Sequence, residues 1–306
     1  MNIRPLDLLD LPLIARHRSD VLTLDSARAL TRGHPLGAMG LLAYINPARH
    51  LYAAIANGDE SALLGGITHT IGEPFAKLLY LAPAARLDDP QLPSLIEHLA
   101  AQAGEWRAFH VMAEVDETSA VFAALRMAGF SVYAWQRVWD VTSLGAESPS
   151  SREIWSGARS VELYALQNLY HQIVPPLLHA VEPAPRRIAG FLRIENSRCY
   201  ASVVSGLYGV VLTPLIHPDE NRVGERIASL VSGLAERGGR RVYLNVRSYQ
   251  TWLEPVLEDL GAKSLPRQAV MVKHLARFIK EGQPARAVPV NVNVQPSHIS
   301  RMDTDE

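Results

Sequence analysis

The chain carries two copies of one pattern. In 306 residues, the run LLYLAP ending at Pro83 returns as GVVLTP ending at Pro214, 131 positions later. VMAEV from Val111 returns as VYLNV from Val242 at the same offset, and Gly129, Gln136 and Val138 have partners Gly261, Gln268 and Val270 at an offset of 132. Each match alone is weak, but their common order and near-constant spacing are not a coincidence of composition. A repeat of this length restricts the chain to two copies of one supersecondary plan.

The plan is hairpin, strand, helix, strand, helix, strand. In the first copy the hairpin is LYAAIANGDESALLGGITHT, with NGD at its turn, followed by AKLLYLAP. The helix LPSLIEHLAAQAGE, the strand AFHVMAEV, the helix SAVFAALRMAG and the strand VYAWQRVWDV complete it. The second copy runs GFLRIENSRCYASVV, LYGVVLTPLI, GERIASLVSGLAERGG, RVYLNV, TWLEPVLEDLG and QAVMVKHL. Both long helices end at glycine, as helix C-termini prefer. The fold class is therefore α/β, with sheets covered by helices. The expected organisation is a first domain over 1–140, a small-residue linker over 141–152, a second domain over 153–280 and a loose tail over 281–306, in which VPVNVNV has the pattern of an edge strand.

Composition removes several function classes. Apolar residues make up 48% and charged residues 20%, with a net charge of −1, so no overall field draws in nucleic acid or an anionic membrane. Arg237, Arg240 and Arg241 cluster at the end of the second long helix, where cations suit the helix dipole. The one cysteine, Cys199, excludes an intramolecular disulfide and a thiolate metal cluster, which fits a reducing, cytoplasmic location. Asp7 and Asp10 interrupt the apolar core that a signal peptide needs. The uncharged run Cys199–Ile216 reads as two strands and a turn rather than a membrane span. There is no G-x-S-x-G elbow, no Walker loop, no G-x-G-x-x-G and no H-E-x-x-H; Glu97-His98 lacks its second histidine, and Pro175-Pro176 separates His171 from His179. No metal is expected.

With an N-terminal strand and helix in IRPLDLLDLPLIARHRSDV, this order resembles the GCN5-related N-acetyltransferase (GNAT) superfamily in tandem. RMAGF, Arg126–Phe130, resembles that family's helix ending in Leu-Gly-Phe, and EDLGA, Glu258–Ala262, is a weaker version. The resemblance implies two GNAT-like domains, each a mixed, mostly antiparallel sheet with helices on both faces. It implies transfer of an acyl group from acetyl-CoA or another acyl-CoA to an amine of a small molecule or peptide. It also implies a pantetheine arm paired with a strand splayed from its neighbour, and a pyrophosphate on the N-terminus of the next helix, where glycine lets backbone amides approach.

The two copies depart from that pattern differently. The first loop, APAARLDDPQLPSLIEHL, has no glycine, two prolines and the carboxylates of Asp88 and Asp89, so the first copy is not expected to bind CoA in the family's way. The second, NRVGER, keeps Gly224 and adds Arg222 and Arg226, among acidic neighbours Asp219, Glu220 and Glu225. Carried over by position, the cofactor residues are Leu212, Thr213, Asn221, Arg222, Val223, Gly224, Glu225 and Arg226. The family's tyrosine before Leu-Gly-Phe, which protonates the leaving thiolate, is replaced by Leu125 and Leu257, leaving Tyr249 at the start of the same helix as the candidate proton donor. Tyr164 and Tyr170, in SVELYALQNLYHQIVPPLLHAVE, and the glycine-rich connection TRGHPLGAMGLLAYINPARH fall where the family builds its acceptor wall. The alternative is a non-catalytic protein holding a ligand or partner in the cleft between the copies.

Overall fold

The computed structural model describes residues 2–37, 48–57, 62–145, 155–188, 190–194, 198–235 and 238–275. The NGD turn beyond Asn57, the middle of the 31–50 connection, the linker after Gly145, Arg237 and the tail lie outside these residues.

The first copy runs β1 (Asn2–Pro5), α1 (Leu11–Arg16), β2 (Leu22–Thr23), α2 (Ser26–Arg32), β3 (Arg49–Asn57), β4 (Ala62–Thr70), β5 (Phe75–Ala82), α3 (Leu92–Glu105), β6 (His110–Asp116), α4 (Ala120–Met127) and β7 (Ser131–Asp140). The second runs β8 (Trp155–Gly157), α5 (Leu163–Ile173), β9 (Phe191–Ile194), β10 (Cys199–Ser205), β11 (Gly209–Ile216), α6 (Val223–Ala235), β12 (Arg241–Arg247), α7 (Leu253–Asp259), β13 (Lys263–Ser264) and β14 (Gln268–His274). The hairpins β3/β4 and β9/β10 are antiparallel, and β5/β6 and β11/β12 are parallel.

Local chemistry explains the elements. Along α3, the buried residues Leu92, Leu95, Ile96, Leu99, Ala100 and Ala103 recur at helical spacing, and each leucine stabilises by about 1.5–3 kcal/mol on burial. Asp25 caps α2 by accepting the Arg28 N–H at 3.2 Å, and Ser119 caps α4. Gly129 and Gly261, the repeat partners after α4 and α7, have φ of 83° and 77°, left-handed conformations that glycine adopts without strain. Helix α5 stops at Ile173, short of the helix-like run to Glu182, because Val174 turns extended ahead of Pro175-Pro176.

The repeat does not reveal how the halves join. Among the described residues, the strands lie in one sheet of order β1-β3-β4-β5-β6-β14-β7-β12-β11-β10-β9-β8, with β2 beside β5 and β13 beside β7. Each half gives its last strand to the other: β14 pairs with β6, and β7 pairs with β12. The order reads the same from either end under exchange of the copies, so a pseudo-two-fold axis passes between β14 and β7. There the repeat partners Gln136 and Gln268 face each other in register, with Gln136 Nε2 donating to Gln268 Oε1 at 2.8 Å. Packing follows the exchange. Ala269 and Met271 of β14 lie in the core beneath α3, while Trp139 of β7 lies in the core with Val231 and Leu257.

Candidate functional site

In both halves the parallel pair splays apart partway along. Strand β5 pairs with β6 only from Phe75 to Lys77, and β11 pairs with β12 only from Gly209 to Leu212. A GNAT-like protein would thread pantetheine through such a gap, and here each gap holds something from the chain itself.

In the first half the occupant is backbone. Strand β2 lies antiparallel to β5, with Leu22 opposite Leu81 and Thr23 opposite Tyr80. Leu24 then bridges the gap, its N–H donating to Leu79 O and its carbonyl accepting the Glu114 N–H of β6, both at 2.9 Å. The Leu24 side chain is buried, and the Ser26 N–H donates to the Glu114 carboxylate at 2.9 Å. A continuous backbone segment fills this gap.

In the second half the occupant is one side chain. Gln250, 1% exposed, donates from Nε2 to Pro214 O at 2.8 Å and accepts the Ile216 N–H on Oε1 at 3.1 Å. A carboxamide carries the same donor and acceptor as the secondary amides of pantetheine, so Gln250 satisfies the β11 groups that such an arm would use. No sequence signal marked this residue; its counterpart at the repeat offset is the helix cap Ser119.

The helix entrances hold carboxylates. Asp89 accepts Arg86 Nη2 at 2.7 Å and the Gln91 N–H at 2.9 Å, a turn contact just ahead of α3, whose N-cap residue is Gln91 and has no side-chain cap. At the same offset of 131, Glu220 takes the buried Arg226 guanidinium at 2.8 Å and the Arg198 N–H at 3.0 Å. Arg226 is thus engaged beneath the surface, with its Nη1 also 3.5 Å from Cys199 Sγ. Leu212 is buried in the core at the last paired position of β11, and Thr213 lies opposite Ser202 of β10. Asn221, Arg222 and Glu225 are exposed, with Arg222 at φ 54° and 3.4 Å from Glu225. Val223, buried, opens α6. A Cβ on Gly224 would touch Val256 Cγ1 at 3.4 Å and Leu260 at 3.7 Å, so this glycine seats α6 against α7.

Tyr249 belongs to a buried polar cluster that sequence reading did not assemble. Its hydroxyl donates to Glu182 Oε2 at 3.0 Å, Tyr133 donates to Glu182 Oε1 at 2.9 Å, and Arg247 Nη2 lies 3.1 Å from the same carboxylate. Tyr170 donates to the Glu182 carbonyl. Burial raises the phenol pKa of Tyr249 and Tyr133, and Glu182 adds to it, so both stay protonated at neutral pH. Burial opposes the Arg247 charge, but Glu182, Tyr133 and Glu114 outweigh it and the pKa is raised. Arg247 and Asn245 both donate to Gln136 Oε1, at 2.5 and 3.1 Å, tying the cluster to the pseudo-two-fold axis. The members come from positions 133, 170, 182, 247 and 249, too scattered for any motif to connect.

Glu182 and Arg247 line a cavity of 570 Å³ floored by Phe75, Lys77 and Met112 from strands of the first half and roofed by residues 181–187. A second cavity of 540 Å³ shares Glu73, Phe75, Lys77 and Arg187 with it and continues under α2 toward Ser202 and Val204 of β10. Helix α2 reaches the second half at the β10–β11 turn, where the Tyr208 N–H donates to Thr31 O at 3.0 Å. The cavities therefore lie across the two halves. Among the described residues, no group of three or more His, Cys, Asp or Glu is placed to hold a metal, and no helix is long and apolar enough to cross a membrane.

No known family's sequence model and no curated protein matches the chain. Solved structures do. A GCN5-related N-acetyltransferase from Sphaerobacter thermophilus is 13% identical over 91% of this chain and 96% of its own, with a TM-score of 0.52. A tandem GNAT protein from the clavulanic acid biosynthesis pathway, solved without AcCoA, is 15% identical over 89% and 98%, with a TM-score of 0.51. A Drosophila protein is 10% identical over 89% and 98%, with a TM-score of 0.51. The chain therefore has the tandem GCN5-related N-acetyltransferase fold.

Proposed function

We propose that the protein transfers an acyl group from acyl-CoA to an amine, with the thioester entering the gap between β11 and β12. The observation that carries this reading is the nature of the two occupants. The first gap is sealed by backbone that belongs to a strand, whereas the second is closed by one side-chain amide that a rotation about χ angles removes. On entry, an amide of the pantetheine arm takes over the bonds of Gln250 to Pro214 O and the Ile216 N–H. Glu182 and Arg247 then border the space where the acceptor approaches. The amine attacks the thioester carbonyl, the C–S bond breaks, and the amine gives up a proton as the thiolate gains one. Tyr249, kept protonated and oriented by Glu182, is the donor this reading assigns.

Calorimetric titration of the full chain with acetyl-CoA tests it. One site per chain is expected, and Tyr249→Phe should keep the affinity while slowing transfer by roughly 10²–10⁴-fold. The absence of any binding at millimolar acetyl-CoA overturns the reading. Glu220 and Asp89 at the two helix entrances favour a second reading, a non-catalytic protein that holds a small molecule in the central cavities. Under that reading a ligand binds with no acyl-CoA site at all.

A further inference from the structure

The 540 Å³ cavity has a charge imbalance that the chain itself does not resolve. Arg28 and Arg32 stand one turn apart on α2, a like-charge spacing that works against the helix. Arg49 from β3 and Arg187 line the same space, giving four guanidinium groups. Of the two carboxylates that line it, Asp25 is committed, capping α2 at Arg28 and lying 3.5 Å from Lys77 Nζ. That leaves Glu73 against Arg32, Arg49 and Arg187. Among the described residues, Arg32, Arg49 and Arg187 form no ion pair. Burial, and after it the neighbouring Arg32 charge, outweigh the attraction of Asp25 and hold the Arg49 pKa below its ordinary value.

Guanidinium groups converging on a partly enclosed space present forked donors matched to carboxylate and phosphate oxygens. We infer that this cavity binds the acidic head, carboxylate or phosphate, of a small organic molecule whose body extends over Phe75 into the adjoining 570 Å³ cavity beside Glu182. Their shared wall of Phe75, Lys77 and Arg187 makes the two spaces continuous in lining, and each is of ordinary ligand-site size. The inference deepens the reading above, on which it rests only for the molecule's role as acyl acceptor. The acceptor is then an amine that carries an acid group.

Binding is measured without acyl-CoA, so the two ideas fail separately. The full chain is titrated calorimetrically with phosphoethanolamine, with 4-aminobutyrate and with butylamine. The acid-bearing probes should bind and butylamine should not; a preference between the first two identifies the head as phosphate or carboxylate. Arg32→Ala and Arg49→Ala should each weaken binding by about tenfold or more, Arg49→Lys by less, and Arg126→Ala, on the exposed face of α4, not at all. Thermal melting checks that each variant is folded. The inference is overturned if neither acidic probe binds at about 10 mM, a free energy near 3 kcal/mol. It is equally overturned if butylamine binds as well as they do, or if Arg32→Ala and Arg49→Ala leave the affinity unchanged.

Discussion

The first gap and the second gap are built from the same repeat and closed by different means. Between β5 and β6, Leu24 donates to one strand and accepts from the other, with its side chain in the core. Between β11 and β12, the amide of Gln250 meets two groups of β11 from a short helical turn. A backbone insertion is part of the fold and opens only as the fold does. A side chain that imitates an amide ligand opens at the cost of its own two hydrogen bonds, which an incoming amide restores. On the proposed reading, one half then serves as scaffold and the other is where a ligand enters.

The comparison is broken most forcefully at Leu24. Leu24→Ala should cost about 2–5 kcal/mol in denaturant unfolding, because it empties a core position and loosens the inserted segment. A loss below about 0.5 kcal/mol would mean that the first gap is not held by this insertion. Next comes the contact between α2 and the second half. A Cβ at Gly206 would stand 2.1 Å from Thr31 O, so Gly206→Ala must push α2 away. A destabilisation of about 1–3 kcal/mol is expected, together with weaker binding of the acidic probes, since Arg28 and Arg32 ride on that helix. In the second gap, Gln250→Ala leaves the Pro214 carbonyl and Ile216 N–H without their partner. It should destabilise by about 1–3 kcal/mol while increasing the thermal stabilisation given by acetyl-CoA beyond that of the unmodified chain. Equal stabilisation of the two proteins would show that Gln250 does not stand in the ligand's path.

The smallest effect is one of pH. His110 opens β6, buried against Phe75, where the second half has the exposed Arg241. Burial lowers the His110 pKa, so the unfolded chain binds a proton that the folded chain refuses. Its contribution is present above the ordinary imidazole value of about 6.5 and is lost as pH falls through it. Stability should decline between pH 7 and 5, and His110→Gln should flatten that slope; an unchanged slope would exclude His110 as its source.

Much of the fold was legible because periodicity, glycine stops and the 131-residue offset are local or repeated signals. Gly129 and Gly261 end their helices as the pattern expects, and Gln136 and Gln268 proved to be neighbours across the pseudo-two-fold axis, whereas the glycine stop expected of α3 fails: that helix runs through Gly104 to Glu105. The exchange of β7 and β14 was not legible. A final strand has the same alternating pattern whichever half receives it, and pairing is a property of space, not of spacing. The site was read less fully. Position pointed to Gly224 and Arg226, but the structure gives that glycine a packing role and that arginine a half-buried carboxylate. Gln250, Glu182 and Arg247 carry no motif, and their meaning depends on partners 34 to 111 residues away.

The central claim is that only the second gap can exchange its occupant for a ligand, and amide hydrogen exchange with and without acetyl-CoA tests it at single residues. In Gln250→Ala, the Ile216 amide should exchange faster than in the unmodified chain, and saturating acetyl-CoA should restore slow exchange there while leaving the Leu24 and Glu114 amides unchanged. Acetyl-CoA that leaves Ile216 fast, or that instead alters exchange at Leu24 and Glu114, would contradict the account.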